Sequence, residues 1–87
     1  MQIRNLERIL KALANSRRLE ILKFLRGKTA NVGEIAEAIK LSFKSTSRHL
    51  SILAGADILE KDYVSNQVYY HLSPSPHTLV KKTLSIL

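Results

Sequence analysis

The chain has no cysteine, no tryptophan, two prolines, three glycines, and half as many acidic residues as basic ones, 7 against 14. Each shortage excludes something. Without Cys there is no disulfide framework, no thiolate metal site and no cysteine nucleophile. With so little Pro and Gly, no linker or low-complexity tract divides the 87 residues, and no internal repeat appears. The length bounds the chain to one small domain, residues 1–87. The longest apolar runs, such as residues 52–56, are far too short to span a bilayer, so no membrane partner is expected. Arg4, Glu7, Arg8 and Lys11 fill the stretch where an export signal needs an apolar segment, so the expected location is cytoplasmic.

What is present is globular and basic. Hydrophobic residues make up 45% and charged residues 24%. A domain this small buries roughly 60–65% of its unfolded surface, so its core is thin and a partner subunit is a common remedy. The formal net charge of +7 makes a polyanion the default partner, against the plainer reading of a generically basic surface.

Ile3, Leu6, Leu10 and Leu13 recur at helical spacing and predict an amphipathic helix over residues 2–14, with Ile9 and Ala12 beside the stripe. Asn15 or Ser16 caps a second helix, unusual for Arg17 and Arg18 in its first turn. Leu19, Leu22 and Leu25 form its apolar face, widened by Ile21 and Phe24, and Gly27 ends it. Residues 28–30 read as a connector. Asn31 and Glu34 have capping-box spacing ahead of a short helix with Ile35, Ala36 and Ile39 inward. Ser42 caps the next helix, which carries Leu50, Ile52, Leu53 and Ala56 along its buried side. The period then changes: residues 58–64 and 68–72 are β-rich runs separated by Ser65, Asn66 and Gln67. That turn lacks Gly and is not a strong type I′ signal. Pro74 and Pro76 precede a last helix with Leu79, Val80, Leu84 and Leu87 apolar.

The order predicts a mainly α (α+β) fold, a winged helix-turn-helix of four helices, a β-hairpin wing and a C-terminal helix. The helix-turn-helix spans about 32–56 and the wing about 58–72. From residue 38 to 56 there is no acid, while Lys40, Lys44, Arg48 and His49 alternate with the hydroxyls of Ser42, Ser45, Thr46, Ser47 and Ser51. DNA recognition uses both: cations and small donors hold phosphates, and side chains of the helix's N-terminal half reach base edges. Lys44, Ser47 and Arg48 share a face. The candidate DNA-binding residues are Ser42, Phe43, Lys44, Ser45, Ser47, Arg48 and His49.

Several residues admit two roles. Phe43 is either a core wedge or an outward aromatic touching a thymine methyl or a sugar. His49 packs under the helix or donates to a phosphate. Arg17 and Arg18 are solubilising charges or phosphate ligands. Ile3, Leu6, Leu10 and Leu13, with Leu79, Val80, Leu84 and Leu87, are too much apolar surface for so small a core, and are expected to join two copies. His49, His71 and His77 are scattered, so no metal site and no cofactor are expected. Asp57, Glu60 and Asp62 have no nucleophile or phosphate-cradling loop beside them, which excludes an enzyme from the expectation. A DNA-binding regulator and a winged-helix protein-interaction module both fit the pattern. The acid-free segment favours DNA.

The run LSFKSTSRHLSIL, residues 41–53, resembles the recognition-helix signature of ArsR-type winged-helix repressors. LKALANSRRLEILKFL at residues 10–25 and VYYHL at residues 68–72 extend the resemblance over most of the chain. It implies a prokaryotic transcriptional repressor, a homodimer joined through its first and last helices. Such a dimer binds palindromic operators in double-stranded DNA and sits at the nucleoid when bound. Asn31 and Gly33 stand where the family's thiolate sensors carry cysteines. Only His77 lies near the last helix, where another branch places carboxylate and His ligands. The resemblance therefore implies a non-metal-sensing branch, and the sequence leaves the effector open. Asp57 replaces a frequent Gly, and the wing tip lacks the Arg or Lys often found there.

Overall fold

Among the described residues, five helices and three strands follow in the order α1 (Ile3–Leu13), α2 (Ser16–Leu25), β1 (Ala30–Asn31), α3 (Val32–Ile39), α4 (Phe43–Gly55), β2 (Leu59–Val64), β3 (Gln67–Leu72) and α5 (Thr78–Ile86). The computed structural model describes residues 2–87. Short polar side chains set the helix starts. Asn15 Oδ1 accepts from the Arg18 amide at 3.1 Å and opens α2. At α3 the capping box is complete: the Glu34 amide donates to Asn31 Oδ1 at 2.8 Å and the Asn31 amide donates to Glu34 Oε1 at 2.9 Å. Ser42 Oγ accepts from the Ser45 amide at 3.1 Å and starts α4. Each cap satisfies N–H groups that a helix start leaves without a partner.

Left-handed residues set the exits. Gly27 at φ 72 follows α2, as its position in the sequence suggested. Lys40 at φ 55 closes the tight turn between α3 and α4, and Asp57 at φ 59 turns the chain from α4 into the wing. Asp tolerates this conformation better than most residues, which is how it replaces Gly there.

The sheet is antiparallel, in the order β1-β3-β2, with Leu59 opposite Leu72 and Val64 opposite Gln67. Two features depart from expectation. The hairpin turn is Ser65–Asn66 alone, at φ 48 and 67, and Gln67 already belongs to β3. Positive φ at both central residues is what a type I′ turn requires, and Asn supplies it without Gly. The connector at 28–30 also ends in a strand: Ala30 and Asn31 pair with Tyr70 and Tyr69, a run too short to show alternation.

Ile21, Leu22 and Leu25 of α2, Ile35 of α3, and Leu50 and Leu53 of α4 are fully buried, and Ile58 and Val80 close the core at 1% exposure. Ile52, expected on the buried side of α4, is exposed instead. A step of about 100° per residue carries it off the stripe that Leu50 and Leu53 define. α2 sits at the centre and brackets its neighbours. Arg17 Nη1 donates to the Ile39 carbonyl at the end of α3 at 2.6 Å. Arg18 donates to the Ala12 and Lys11 carbonyls in the last turn of α1 at 2.6 and 3.1 Å. Arg26 donates to the Leu84 carbonyl near the end of α5. Helix C-termini carry unpartnered carbonyls and partial negative charge, and a guanidinium meets both.

Candidate nucleic-acid interface

Helical geometry divides α4 cleanly. Thr46, Leu50 and Leu53 point into the core, while Lys44, Arg48 and Ser51 are exposed on the opposite side. Ser47 is half-buried, and Ser45 is exposed. Phe43 is 63% exposed, so it is not a core wedge. It borders a groove with Val32 and Val68, between the start of α3 and the wing. At that groove Asn31 Nδ2 donates to Gln67 Oε1 at 2.7 Å, which ties the wing to the cap of α3. Ser42 spends its oxygen on the α4 cap, and its side chain remains exposed.

The electrostatics follow from where the acids go. Glu7 pairs with Lys11, Glu20 with Arg17, and Asp57 with Arg8. Asp62 and Glu60 face His71 Nε2 at 3.1 and 3.9 Å, and Glu34 is held in the capping box. Among the described residues no acid pairs with Lys40, Lys44 or Arg48. Their charge is left for an anion outside the chain.

His49 is half-buried on the flank of α4, with Nδ1 3.1 Å from Arg18 Nη1. A guanidinium has only donors, so Nδ1 accepts and the ring proton sits on Nε2. Burial lowers the His49 pKa below 6.5, and the charges of Arg18, Arg17 and Arg48 push the same way. The ring is therefore neutral at pH 7. Arg18 spends donors on two helix-end carbonyls, whereas Arg17 meets one through Nη1, which also faces Glu20, and its side chain stays 39% exposed.

On the wing, Ser65 and Asn66 are exposed, and so are Lys61 and Tyr63 on β2. Sequence reasoning did not single out these last two. Alternation along β2 places them on one face, and that signal was available. The apolar stripes divide too. Ile3 and Leu10 are exposed at 84% and 47%, and Leu6, Leu79, Leu84 and Leu87 are half-buried. Leu13 and Val80, grouped with them on spacing alone, lie in the chain's own core at 7% and 1% and offer no surface to a second copy. Ile86 was overlooked, is 84% exposed, and falls at i+7 from Leu79, on the same helical stripe.

Among the described residues no group of three or more His, Cys, Asp or Glu side chains is placed to hold a metal ion. Nor is any helix among them long and apolar enough to cross a membrane.

A profile of the arsR family of bacterial regulatory proteins matches residues 15–61. The transcriptional activator HlyU of Vibrio cholerae is 35% identical over 79 residues, which cover 91% of this chain and 70% of that protein. The transcriptional repressor SdpR of Bacillus subtilis is 34% identical over 65 residues, covering 75% and 72%. The solved structure of HlyU from Vibrio cholerae has a TM-score of 0.82 at 32% identity, over 99% of this chain and 92% of that one. The homodimeric winged helix-turn-helix DNA-binding domain of Mb0332 from Mycobacterium bovis has a TM-score of 0.84 at 26% identity, over 97% and 76%.

Proposed function

The chain belongs to the arsR family of bacterial regulatory proteins, and from that premise we propose that it is a transcriptional repressor that binds a palindromic operator in double-stranded DNA as a homodimer. The observation that carries the reading is the outer face of α4, where Lys44 and Arg48 stand exposed beside Ser47 with no acid paired to them. Lys44, Ser45, Ser47 and Arg48 read bases in the major groove, and Phe43 supplies an apolar contact. Ser42 and His49 position the helix on phosphates. The neutral wing tip adds little to the electrostatic term.

Residues 1–87 act as one DNA-binding domain, with the helix-turn-helix at about 32–56, the wing at about 58–72 and dimerisation helices at about 2–14 and 76–87. Ile3, Leu6, Leu10, Leu79, Leu84, Leu87 and Ile86 supply the apolar surface between copies. Two recognition helices in such a dimer reach half-sites about one helical turn apart, or a multiple of it. The work is done at the nucleoid of a prokaryotic cytoplasm, without a catalytic step, a metal or a cofactor.

Selection of genomic DNA fragments by the purified chain tests this directly. A recovered palindrome, with binding that weakens steeply as salt rises, is the expected result. Recovery of no sequence preference, or binding indifferent to salt, would sink it and favour docking of the same face on a protein.

A further inference from the structure

Arg18 occupies the first turn of α2, where a cation opposes the helix dipole. Solvated there it would be a weak point of the helix, yet it is fully engaged. Its Nε donates to the Ala12 carbonyl at 2.6 Å and its Nη2 to the Lys11 carbonyl at 3.1 Å, so the guanidinium plane is fixed on the end of α1. The remaining Nη1 lies 3.1 Å from His49 Nδ1 on α4. Three helices therefore meet through one side chain. A planar fork held at two points has little freedom to follow a moving imidazole, so the ring must sit where the fork aims.

The chemistry at His49 follows. Nδ1 accepts, so the neutral ring carries its hydrogen on Nε2. Among the described residues nothing hydrogen-bonds to Nε2, and the only buried side-chain polar atom without a partner is Thr46 Oγ1. Nε2–H thus keeps access to solvent, on the helix that also carries the exposed Arg48. The guanidinium behind the ring polarises this N–H, as charged members of hydrogen-bond chains do.

We infer that Arg18 is a positioning residue for DNA binding: anchored on the last carbonyls of α1, it holds His49 of α4 as the Nε2–H tautomer, so that this N–H donates to a backbone phosphate. The inference rests on the DNA-binding reading above and deepens it. Arg18 acts through His49 and does not touch DNA. Its charge is already spent inside the protein, so removing it releases no additional counterion. That separates it from an ordinary phosphate-binding arginine, whose loss reduces the slope of log affinity against log salt by about 0.9 per contact.

The test uses the full chain and a duplex selected from a random pool by the wild-type protein. Salt titrations are run well below each variant's unfolding temperature. Arg18→Gln is expected to weaken binding about tenfold per half-site with an unchanged salt slope. His49→Leu should lose as much, and the double variant no more than either single one. His49→Gln offers an acceptor to Arg18 and a donor to DNA, and should restore affinity to within about twofold. In the free protein, nitrogen NMR should show His49 as the Nε2–H tautomer, and Arg18→Gln should scramble it. A shallower salt slope for Arg18→Gln, additive losses in the double variant, or an Nδ1–H ring in the wild type overturns the inference alone. A wild-type chain that selects no duplex overturns the DNA-binding reading itself.

Discussion

Replacing Arg48 with alanine isolates base reading from folding. The side chain is exposed, pairs with no acid among the described residues and supports no core contact. A surface change of this kind moves folding stability by no more than about 0.5 kcal/mol. Binding is another matter. A bidentate arginine–guanine contact discriminates against the wrong base by about 1–3 kcal/mol. A twofold dimer loses the contact in both half-sites, so the expected cost is about 2–6 kcal/mol, or about 30-fold to about 20,000-fold in affinity. The loss should fall on the operator and not on scrambled duplex, and base preference should relax at one position of each half-site. The matched control is at the wing tip. Asn66 sits at φ 67, so alanine there would strain the turn, whereas Asn66→Gly removes the side chain and keeps the backbone at ease. Asn66→Gly is expected to cost less than about threefold and to leave the preference intact. Anisotropy titrations of both variants, at one fixed salt concentration, against operator, single-base variants and scrambled DNA measure all of this. If Asn66→Gly erases specificity while Arg48→Ala preserves it, the wing reads the sequence and the assignment of α4 is wrong.

Three further outcomes are expected. Thr46 carries a fully buried hydroxyl without a partner among the described residues, so Thr46→Val should stabilise the fold by about 1 kcal/mol in urea unfolding while DNA affinity stays put; destabilisation would mean the hydroxyl is satisfied. His49 has its pKa lowered in the folded state, so as pH falls the unfolded chain binds the proton first. Its stabilising contribution is whole above 6.5 and is lost as pH falls through the lower folded-state value, which should appear as a falling urea midpoint that is flatter in His49→Gln. An identical pH profile in the two proteins refutes this. Ile3→Lys combined with Ile86→Lys, both at 84%-exposed positions, should leave a folded monomer by light scattering, whereas Leu13→Lys should unfold the chain; a persisting dimer moves the interface elsewhere.

Much of the fold was legible because local chemistry and global packing agree. Asn31 with Glu34, Ser42 and Gly27 declared helix ends by mechanisms that act over a single turn. The Leu22–Leu25 and Leu50–Leu53 spacings declared inward faces. The failures have physical causes. β1 has two residues, fewer than a period-2 pattern needs, and is a strand only because β3 is beside it. The type I′ turn was under-read because Ser65 and Asn66 take positive φ without glycine. Leu13 and Ile9 differ by one step on the same helix face, as Val80 and Leu79 are neighbours on α5. Periodicity locates an apolar stripe but does not say which edge faces the chain's own core and which faces outward. Phe43 stands among the DNA-binding candidates with a core wedge as the alternative, since spacing alone does not say which way a helix's first turn faces.

The charge count was right in direction and misleading in detail. A net charge of +7 suggests a basic surface throughout, and the tandem Arg17 and Arg18 look like its densest point. In the fold both guanidinia are tied to helix-end carbonyls, Arg17 with its side chain still 39% exposed, and the exposed Arg26 reaches the end of α5 in the same way. Three cations thus serve as caps for the negative ends of three helices packed around α2, offsetting the unfavourable placement of two of them in that helix's first turn. Arg8 and Lys11 are matched to Asp57 and Glu7, and Lys28 lies over the Phe24 ring. Of the cations that remain, Lys40, Lys44 and Arg48 lie on or beside α4 and Arg4, Lys23, Lys61, Lys81 and Lys82 lie elsewhere, so the α4 set is conspicuous less for its number than for the absence of acids between residues 38 and 56. In the sequence, the acid-free residues 38–56 therefore point to the proposed face of α4 better than the strongest run of basic residues does, although residues 63–87 form a longer acid-free stretch.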